Sequence, residues 1–384
     1  MKEVRFGIIG LGSMGSVHAR SLLEGKVPRA VLGAVCDVNP QAAAPFPGLP
    51  AFTQIEDFLR SGRIDAVLIA TPHFFHAPNG IAALKAGLHV LVEKPLSVHK
   101  ADCERLIAAY RPGRQVFAEM FNQRTDPLYG KLRGLVRDGE LGALRRIQWT
   151  ATDWFRSQAY YNSGGWRATW AGEGGGLLLN QCPHNLDLWW WIFGMPGRVR
   201  AFAGVGKYHE IEVEDDVTAY FEYRDGATGV FIASTGEAPG TNRLEVVAER
   251  GRVVIENGKL SYTRNEIPMS QFCRTTAGRF DRPATWEISI PIEHRGTQHV
   301  GILANFVEAI LDGAPLIAPA AEGVHSVELA NAMLLSSFEN ETISLPLDAA
   351  RYETWLQGRI AESKVKPAGV STTPAAGLSK SFHA

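Results

Sequence analysis

Two side chains in this sequence have the type and the setting to move a proton: Lys94 and His184. Lys94 stands between Glu93 and Pro95, directly after the apolar run LHVLV, where a buried strand has to end. An ammonium there can hydrogen-bond a substrate oxygen, or give up its proton if it is desolvated. The plainer reading is a surface lysine paired with Glu93, and the residues alone leave both open. His184 lies in GEGGGLLLNQCPHNLDLWWW. An imidazole titrating near ~6.5 is a natural acceptor for the proton of an alcohol being oxidised. It is equally well a hydrogen-bonded core residue. The glycines at 174 to 176 permit backbone that other residues resist, and the run after them reads as one helix. On such a helix Asn180, His184, Asp187 and Leu188 share a face. Asn180 and Gln181 are then placed to position a substrate.

A third cluster, WFRSQAYYNSGGWRATW, sets Trp154, Tyr160, Tyr161, Trp166 and Trp170 beside Arg156 and Arg167 in a loop-like segment. Rings can lie against the C–H faces of a polyol while polar groups take its hydroxyls. Trp154, Arg156, Tyr160 and Trp166 are the substrate candidates, with Arg167 toward the cofactor. The remaining rings cover the core.

These groups need a scaffold, and the first third of the chain supplies one. The strand-like run Val4 to Ile9 feeds GLGSMG, and Asp37 closes the next apolar run. Gly10 allows a tight turn, Gly12 lets backbone approach a pyrophosphate, and Gly15 lets the following helix pack closely on the strand. That helix offers its first amides, at Ser13 and Met14, and the positive end of its dipole. DAVLIA then leads into TPHFFH, LHVLV into EKP, and a fifth strand covers Gln115 to Met120. Strands alternating with helices in this rhythm predict a parallel, doubly wound sheet. Ligands of such sheets sit beyond the carboxyl ends of the strands. Asp37, Thr71, Pro72, His76, Glu93 and Lys94 fall there as cofactor candidates, and Asn122 as a substrate candidate.

Beyond residue 122 the rhythm changes to short strands joined by turns such as RDGA and ENGK, which predicts hairpins and a largely antiparallel open sheet. The expected division is a dinucleotide-binding domain over 1–122, an α+β substrate and oligomerisation domain over 123–362, and a Ser/Thr/Ala/Pro/Gly-rich tail over 363–384. One of the helices near Val300 to Leu311 and Ala321 to Phe338 is expected to pack back on the first domain. With 384 residues and a formal net charge of -1, the chain is long enough for two cores and lacks the basic excess of a nucleic-acid or membrane partner. Cys36, Cys103, Cys182 and Cys273 form no CxxC pair, so buried thiols in a reducing compartment are expected. No metal site is expected, nor a signal peptide or membrane span, and the expected location is the cytoplasm.

Taken in order, GLGSMG, ATPHFFH, VEKP, GELG and GGGLLLNQCPHNLD resemble the Gfo/Idh/MocA oxidoreductases from residue 1 to about 345. The resemblance implies a Rossmann domain and an open-sheet domain that often mediates assembly, here a homodimer or homotetramer. It also implies NAD-dependent hydride transfer from a secondary ring hydroxyl of a sugar, anhydrosugar or cyclitol. It carries the family's lysine onto Lys94, commonly beside a cis proline, and its helix histidine onto His184. Where the family commonly has an aspartate four residues before that histidine, this chain has Asn180, which neither accepts a proton nor stabilises an imidazolium by charge. The NQ pair and the aromatic loop resemble a branch of sugar and anhydrosugar dehydrogenases that includes levoglucosan dehydrogenase. Rival readings are a redox-neutral glycosidase or epimerase that retains NAD, and a non-catalytic NAD or sugar sensor.

NAD is predicted over NADP, because Asp37 would accept hydrogen bonds from the adenosine ribose and repel a 2′-phosphate, and Val38, Asn39 and Pro40 supply no compensating arginine. A kcat/KM higher with NADP than with NAD would overturn this.

Overall fold

The computed structural model describes residues 2–292 and 294–364. The first part runs β1 (Val4–Ile9), α1 (Ser13–Leu23), β2 (Ala30–Cys36), β3 (Ala51–Phe52), α2 (Ile55–Leu59), β4 (Ala66–Ile69), α3 (His76–Lys85), β5 (His89–Val92), α4 (Lys100–Ala109) and β6 (Phe117–Glu119). Its six strands are all parallel, in the order β3-β2-β1-β4-β5-β6. The order reverses at β1 and β4, so a crevice opens beyond their carboxyl ends. β3, two residues long, falls in the stretch that reads as a Pro/Ala-rich crossover in sequence.

The second part contains α5 (Pro127–Arg137), β7 (Leu144–Ala151), α6 (Gln158–Tyr161), α7 (Trp170–Glu173), α8 (Leu177–Asn180), α9 (Pro183–Phe193), β8 (Arg198–Val205), β9 (Glu214–Glu222), β10 (Thr228–Ser234), β11 (Asn242–Ala248), β12 (Gly251–Glu256), β13 (Lys259–Asn265), α10 (Met269–Thr275), β14 (Thr285–Ile290), α11 (Gln298–Asp312), α12 (Val324–Glu339), β15 (Ile343–Ser344) and α13 (Ala349–Glu362). Nine strands form one open sheet, β14-β13-β12-β11-β7-β10-β9-β8-β15, antiparallel throughout except where β7 meets β10. The β12–β13 turn places Asn257 and Gly258 at positive φ (52° and 70°), the signature of the tight hairpin that ENGK predicts. β13, α10 and β14 are not legible in the sequence. Their apolar residues are few, and Trp286 on the edge strand β14 is exposed.

The two sheets have separate cores, but helices from beyond residue 122 complete the first one. One face of the parallel sheet packs Val4, Phe6 and Ile8 against Leu22 of α1 and against Leu303 and Phe306 of α11, far along the chain. The other face packs Val67 and Ile69 against α3, α4 and Val327 of α12. A cut at residue 122 therefore separates the sheets but not the packing. The second sheet's inner face buries Trp149 and Phe231 against Trp189 of α9.

Between the sheets sits a fully buried ion pair. The Arg124 guanidinium donates from Nε and Nη2 to the two oxygens of Asp187 at 2.9 and 2.6 Å, and from Nη1 to Glu322 and the Ile317 carbonyl. Removing one member of a buried pair strands the other charge at a cost of about 3–5 kcal/mol. Arg124→Met, which leaves the Asp187 carboxylate buried without its partner, is expected to lower the stability measured by urea denaturation by about that amount. A loss below about 1 kcal/mol, the range of an exposed pair, would contradict the assignment.

Candidate active site

The glycine turn is set by steric contact. Gly10 has φ +89°, and a Cβ on Gly15 would lie 1.9 Å from the Gly10 carbonyl oxygen. Helix α1 thus starts hard against β1. Nothing lies within 4 Å of where a Gly12 Cβ would be, and no side chain caps the helix. The first-turn amides, Ser13 and Met14 among them, are left for an anion. Asp37 closes the turn: its Oδ2 accepts the Leu11 amide at 2.7 Å and its Oδ1 the Asn39 amide at 2.8 Å. A small cleft lined by Asp37, Asn39, Pro40, Phe52 and Thr53 opens beside it. These residues fit NAD: open backbone for the pyrophosphate and an anchored carboxylate for the ribose.

At the end of β5, Glu93 turns inward. Its Oε1 meets His18 Nε2 at 2.6 Å and its Oε2 accepts the Lys94 amide. Burial works to raise this carboxyl, but the His18 hydrogen bond and charge, with His299 and Lys94 beyond, hold it down to about 2. Glu93 is therefore an internal anion bound to α1 and does not reach out to a ligand. His76 likewise meets backbone. Its Nδ1 lies 2.7 Å from the Pro95 carbonyl and its Nε2 2.8 Å from that of Thr71. Burial lowers its pKa, and a neutral ring has one N–H, so it donates to one of these carbonyls and lies against the other, where the Thr71–Pro72 turn meets the Lys94–Pro95 segment. The Lys94–Pro95 peptide is cis, as the resemblance implies.

Lys94 reaches across to the second sheet's helices, where its Nζ donates to the Asn180 carbonyl at 2.7 Å. It is not a surface lysine paired with Glu93: Glu93 is held by His18, and burial lowers the Lys94 pKa. The segment after the glycines is two helices, not one. Pro183, which lacks an N–H, opens α9, and Gln181 and Cys182 bridge it to α8. Asn180 and His184 therefore do not share a helix face, and Asp187 is taken by Arg124. Asn180 turns its amide to Glu173, while its Oδ1 accepts from Tyr160 Oη at 3.2 Å and Gln181 Nε2 at 3.1 Å. No hydrogen bond joins Asn180 to His184 among the described residues.

His184 is 8% exposed, with its ring edge-on to Phe121. Burial, with the charges of Lys94 and His299, holds it well below the ordinary imidazole range, so it is neutral at pH 7. Arg167 donates to Tyr160 Oη at 2.6 Å, and its guanidinium and that of Arg156 lie over the Tyr160 ring. Trp166 packs edge-on to His73, bringing the aromatic loop against the turn that follows β4. Asn122 donates to Gln298 Oε1 at the start of α11. Around this crevice several buried polar atoms have no partner among the described residues: Thr71 Oγ1, His73 Nδ1, Asn122 Oδ1, Trp154 Nε1, Gln181 Oε1 and His184 Nδ1. Buried polar atoms are ordinarily paired, so these atoms are available to the hydroxyls or amide of a ligand.

Sequence reasoning missed several groups here. Glu173, at the end of α7, is fully buried. Glu214 accepts the Gly176 and Leu178 amides and fixes the glycine turn, with burial pushing it up to about 7. His18 in α1 also escaped notice. Glu173 stands inside the GEGGG run, so its position was visible while its partners were not. Of the cysteines, Cys36, Cys103 and Cys182 are buried but Cys273 is exposed.

A family model described as "Oxidoreductase family, NAD-binding Rossmann fold" matches residues 4–120, and one described as "GFO/IDH/MocA C-terminal domain" matches residues 129–254. Myo-inositol 2-dehydrogenase of Thermotoga maritima is 27% identical over 266 residues, 66% of this chain and 75% of that protein. The WlbA dehydrogenase from Bordetella pertussis, solved with NADH and UDP-GlcNAcA, superposes with a TM-score of 0.75 at 25% identity, covering 90% of this chain and 100% of that one. Levoglucosan dehydrogenase, solved with NADH and L-sorbose, has a TM-score of 0.75 at 20% identity over 91% and 100%, a likeness of fold.

A base that must be neutral to work loses activity as pH falls through its pKa. With His184 held below the ordinary imidazole value, kcat/KM is expected to stay level as pH falls from 8 to about 6.5 and to drop only below that. An acid limb with its midpoint at or above pH 7 would contradict this.

Proposed function

Because the chain belongs to the Gfo/Idh/MocA oxidoreductases, whose first domain is an NAD-binding Rossmann fold, we propose that it oxidises a secondary ring hydroxyl of a sugar, anhydrosugar or cyclitol. NAD, held by the Gly10–Gly15 turn and Asp37, supplies the hydride acceptor when bound. The observation that carries the reading is the pairing of an ammonium with a neutral imidazole at one crevice: Lys94 donating at the end of β5, and His184 within reach of its charge. His184 takes the hydroxyl proton, since its ring is unprotonated at neutral pH. Lys94 donates to the same oxygen and stabilises the negative charge that grows there as the proton leaves. Gln181, Tyr160 and the Arg167 guanidinium form a polar edge for neighbouring hydroxyls, with Trp154 and Trp166 along the ring faces.

The exposed Phe202 and Tyr220, on adjacent strands of the second sheet, support assembly of that face with a second copy as a homodimer or homotetramer. Among the described residues no helix is long and apolar enough to cross a membrane.

The test is NADH formation with inositols, monosaccharides and anhydrosugars. At least one class is expected to reduce NAD in bulk. Lys94→Ala and His184→Ala are each expected to lower kcat by ~10²–10⁴ while NAD binding is retained. NAD binding with no turnover of any of these compounds would favour a sensor. Full activity in either variant would remove that residue from the chemistry.

A further inference from the structure

Glu173 is a buried acid at the crevice that the chemistry above does not use. Its side chain is 1% exposed, and Arg167 Nη1, 3.9 Å from Oε1, is the only cation within 4 Å among the described residues. Oε2 accepts the Ala168 amide at 2.6 Å, and Oε1 accepts from the Asn180 amide nitrogen. Asn180 is also the residue whose main-chain carbonyl receives Lys94 Nζ. The three residues are therefore linked in series: the Glu173 carboxylate to the Asn180 side-chain amide, and the Asn180 main-chain carbonyl to the Lys94 ammonium. A buried carboxylate is costly unless charge and hydrogen bonds compensate it, and a half-buried lysine shares that cost in part. Here each lies close enough to lighten the other's cost. Glu173 also ties down both ends of the aromatic segment, through Ala168 (φ 58°) and through the Asn180–Tyr160–Arg167 hydrogen bonds.

We propose that Glu173 is a second charge-balancing carboxylate of this active site, opposite Glu93, a positioning residue that acts through Asn180 and Arg167 on Lys94 and keeps the Tyr160–Gln181 edge in place. It would supply the negative charge that Asn180, an amide, cannot. The mutual influence has the required sign: the Glu173 charge raises Lys94, against burial and against Arg167 and Arg156, and the Lys94 charge lowers Glu173, against burial. Lys94 is also faced by Glu93, which raises it. His73, His76, His184 and His299 face it as well, each lowered by its charge. Glu173 is faced by the Tyr160 and Tyr161 phenols and by Glu214. Among these, Glu93 and Glu173 are the acids that favour the ammonium, Glu93 the more strongly, and Glu173 is the one that also holds Asn180, whose carbonyl receives Lys94. This inference rests on the dehydrogenase reading for what Lys94 does, but its test does not.

The pH dependence of Lys94 acetylation by acetic anhydride, followed by mass spectrometry of its peptide, reports the Lys94 midpoint without turnover. Glu173→Gln is expected to lower that midpoint by about one unit. Where a sugar is oxidised, the alkaline limb of kcat/KM should move to lower pH by the same amount. Glu173→Gln/Asn180→Asp, which returns a carboxylate beside Lys94, should restore both. A merely structural glutamate would lower kcat/KM at every pH and leave the midpoint unmoved, and that result overturns the proposal. If Glu173→Gln alone does not fold, the double variant decides: a midpoint at or above the parent's supports the proposal, and one about a unit lower overturns it. A shifted midpoint in a protein that oxidises no sugar would remove the dehydrogenase reading and leave the charge coupling standing.

Discussion

The hydrogen bond from Lys94 Nζ to the Asn180 carbonyl joins residues 86 apart in the chain and closes the crevice between the two sheets. A half-buried ammonium still needs acceptors, and among cations it needs nearby acids. Much of the surrounding architecture follows from that requirement. Glu93 sits behind Lys94 and is fixed by His18; Glu173 sits in front and is fixed by Ala168 and Asn180. His184, in the same field, is kept neutral, which is the state a proton acceptor needs.

The scaffold meets this demand through contacts that are insensitive to the chemistry itself. Close packing at Gly10 and Gly15 sets α1 on β1, and α1 delivers His18 to Glu93. Glu214 holds the glycine turn that leads into α8, and α8 presents the Asn180 carbonyl. The Arg124–Asp187 pair pins α9, and with it His184, to the segment that leaves β6. The three helices α1, α8 and α9 are therefore each anchored by a different buried acid, Glu93, Glu214 and Asp187.

The parallel sheet was legible because its signals are local. A glycine turn after an apolar run, an acid closing the next strand and EKP at the end of a third all identify themselves within a few residues. Lys94 and His184 were legible for the same reason. The partners were not. That Asp187 belongs to Arg124 depends on a buried contact between segments 63 residues apart, whereas periodicity alone puts it on the face of His184. Pro183 in CPHNLD was the local sign that one helix would become two, and it outweighs the apolar continuity of the run. β13 and β14 escaped because an open sheet's outer strands bury little and so carry little apolar pattern. Glu173 was in view inside GEGGG, but a carboxylate's role is set by what faces it, and those neighbours come from the Lys94 turn and the aromatic loop.

The central claim is that the crevice removes hydride from a ring carbon while His184 and Lys94 handle the proton and the oxygen's charge. The most direct measurement is isotope transfer from ring-deuterated sugars and inositols, with the NADH product analysed by mass spectrometry. The account predicts deuterium in free NADH and an accumulating ketone. Deuterium that remains with a sugar product of unchanged oxidation state, or NAD that never acquires it, would contradict the account.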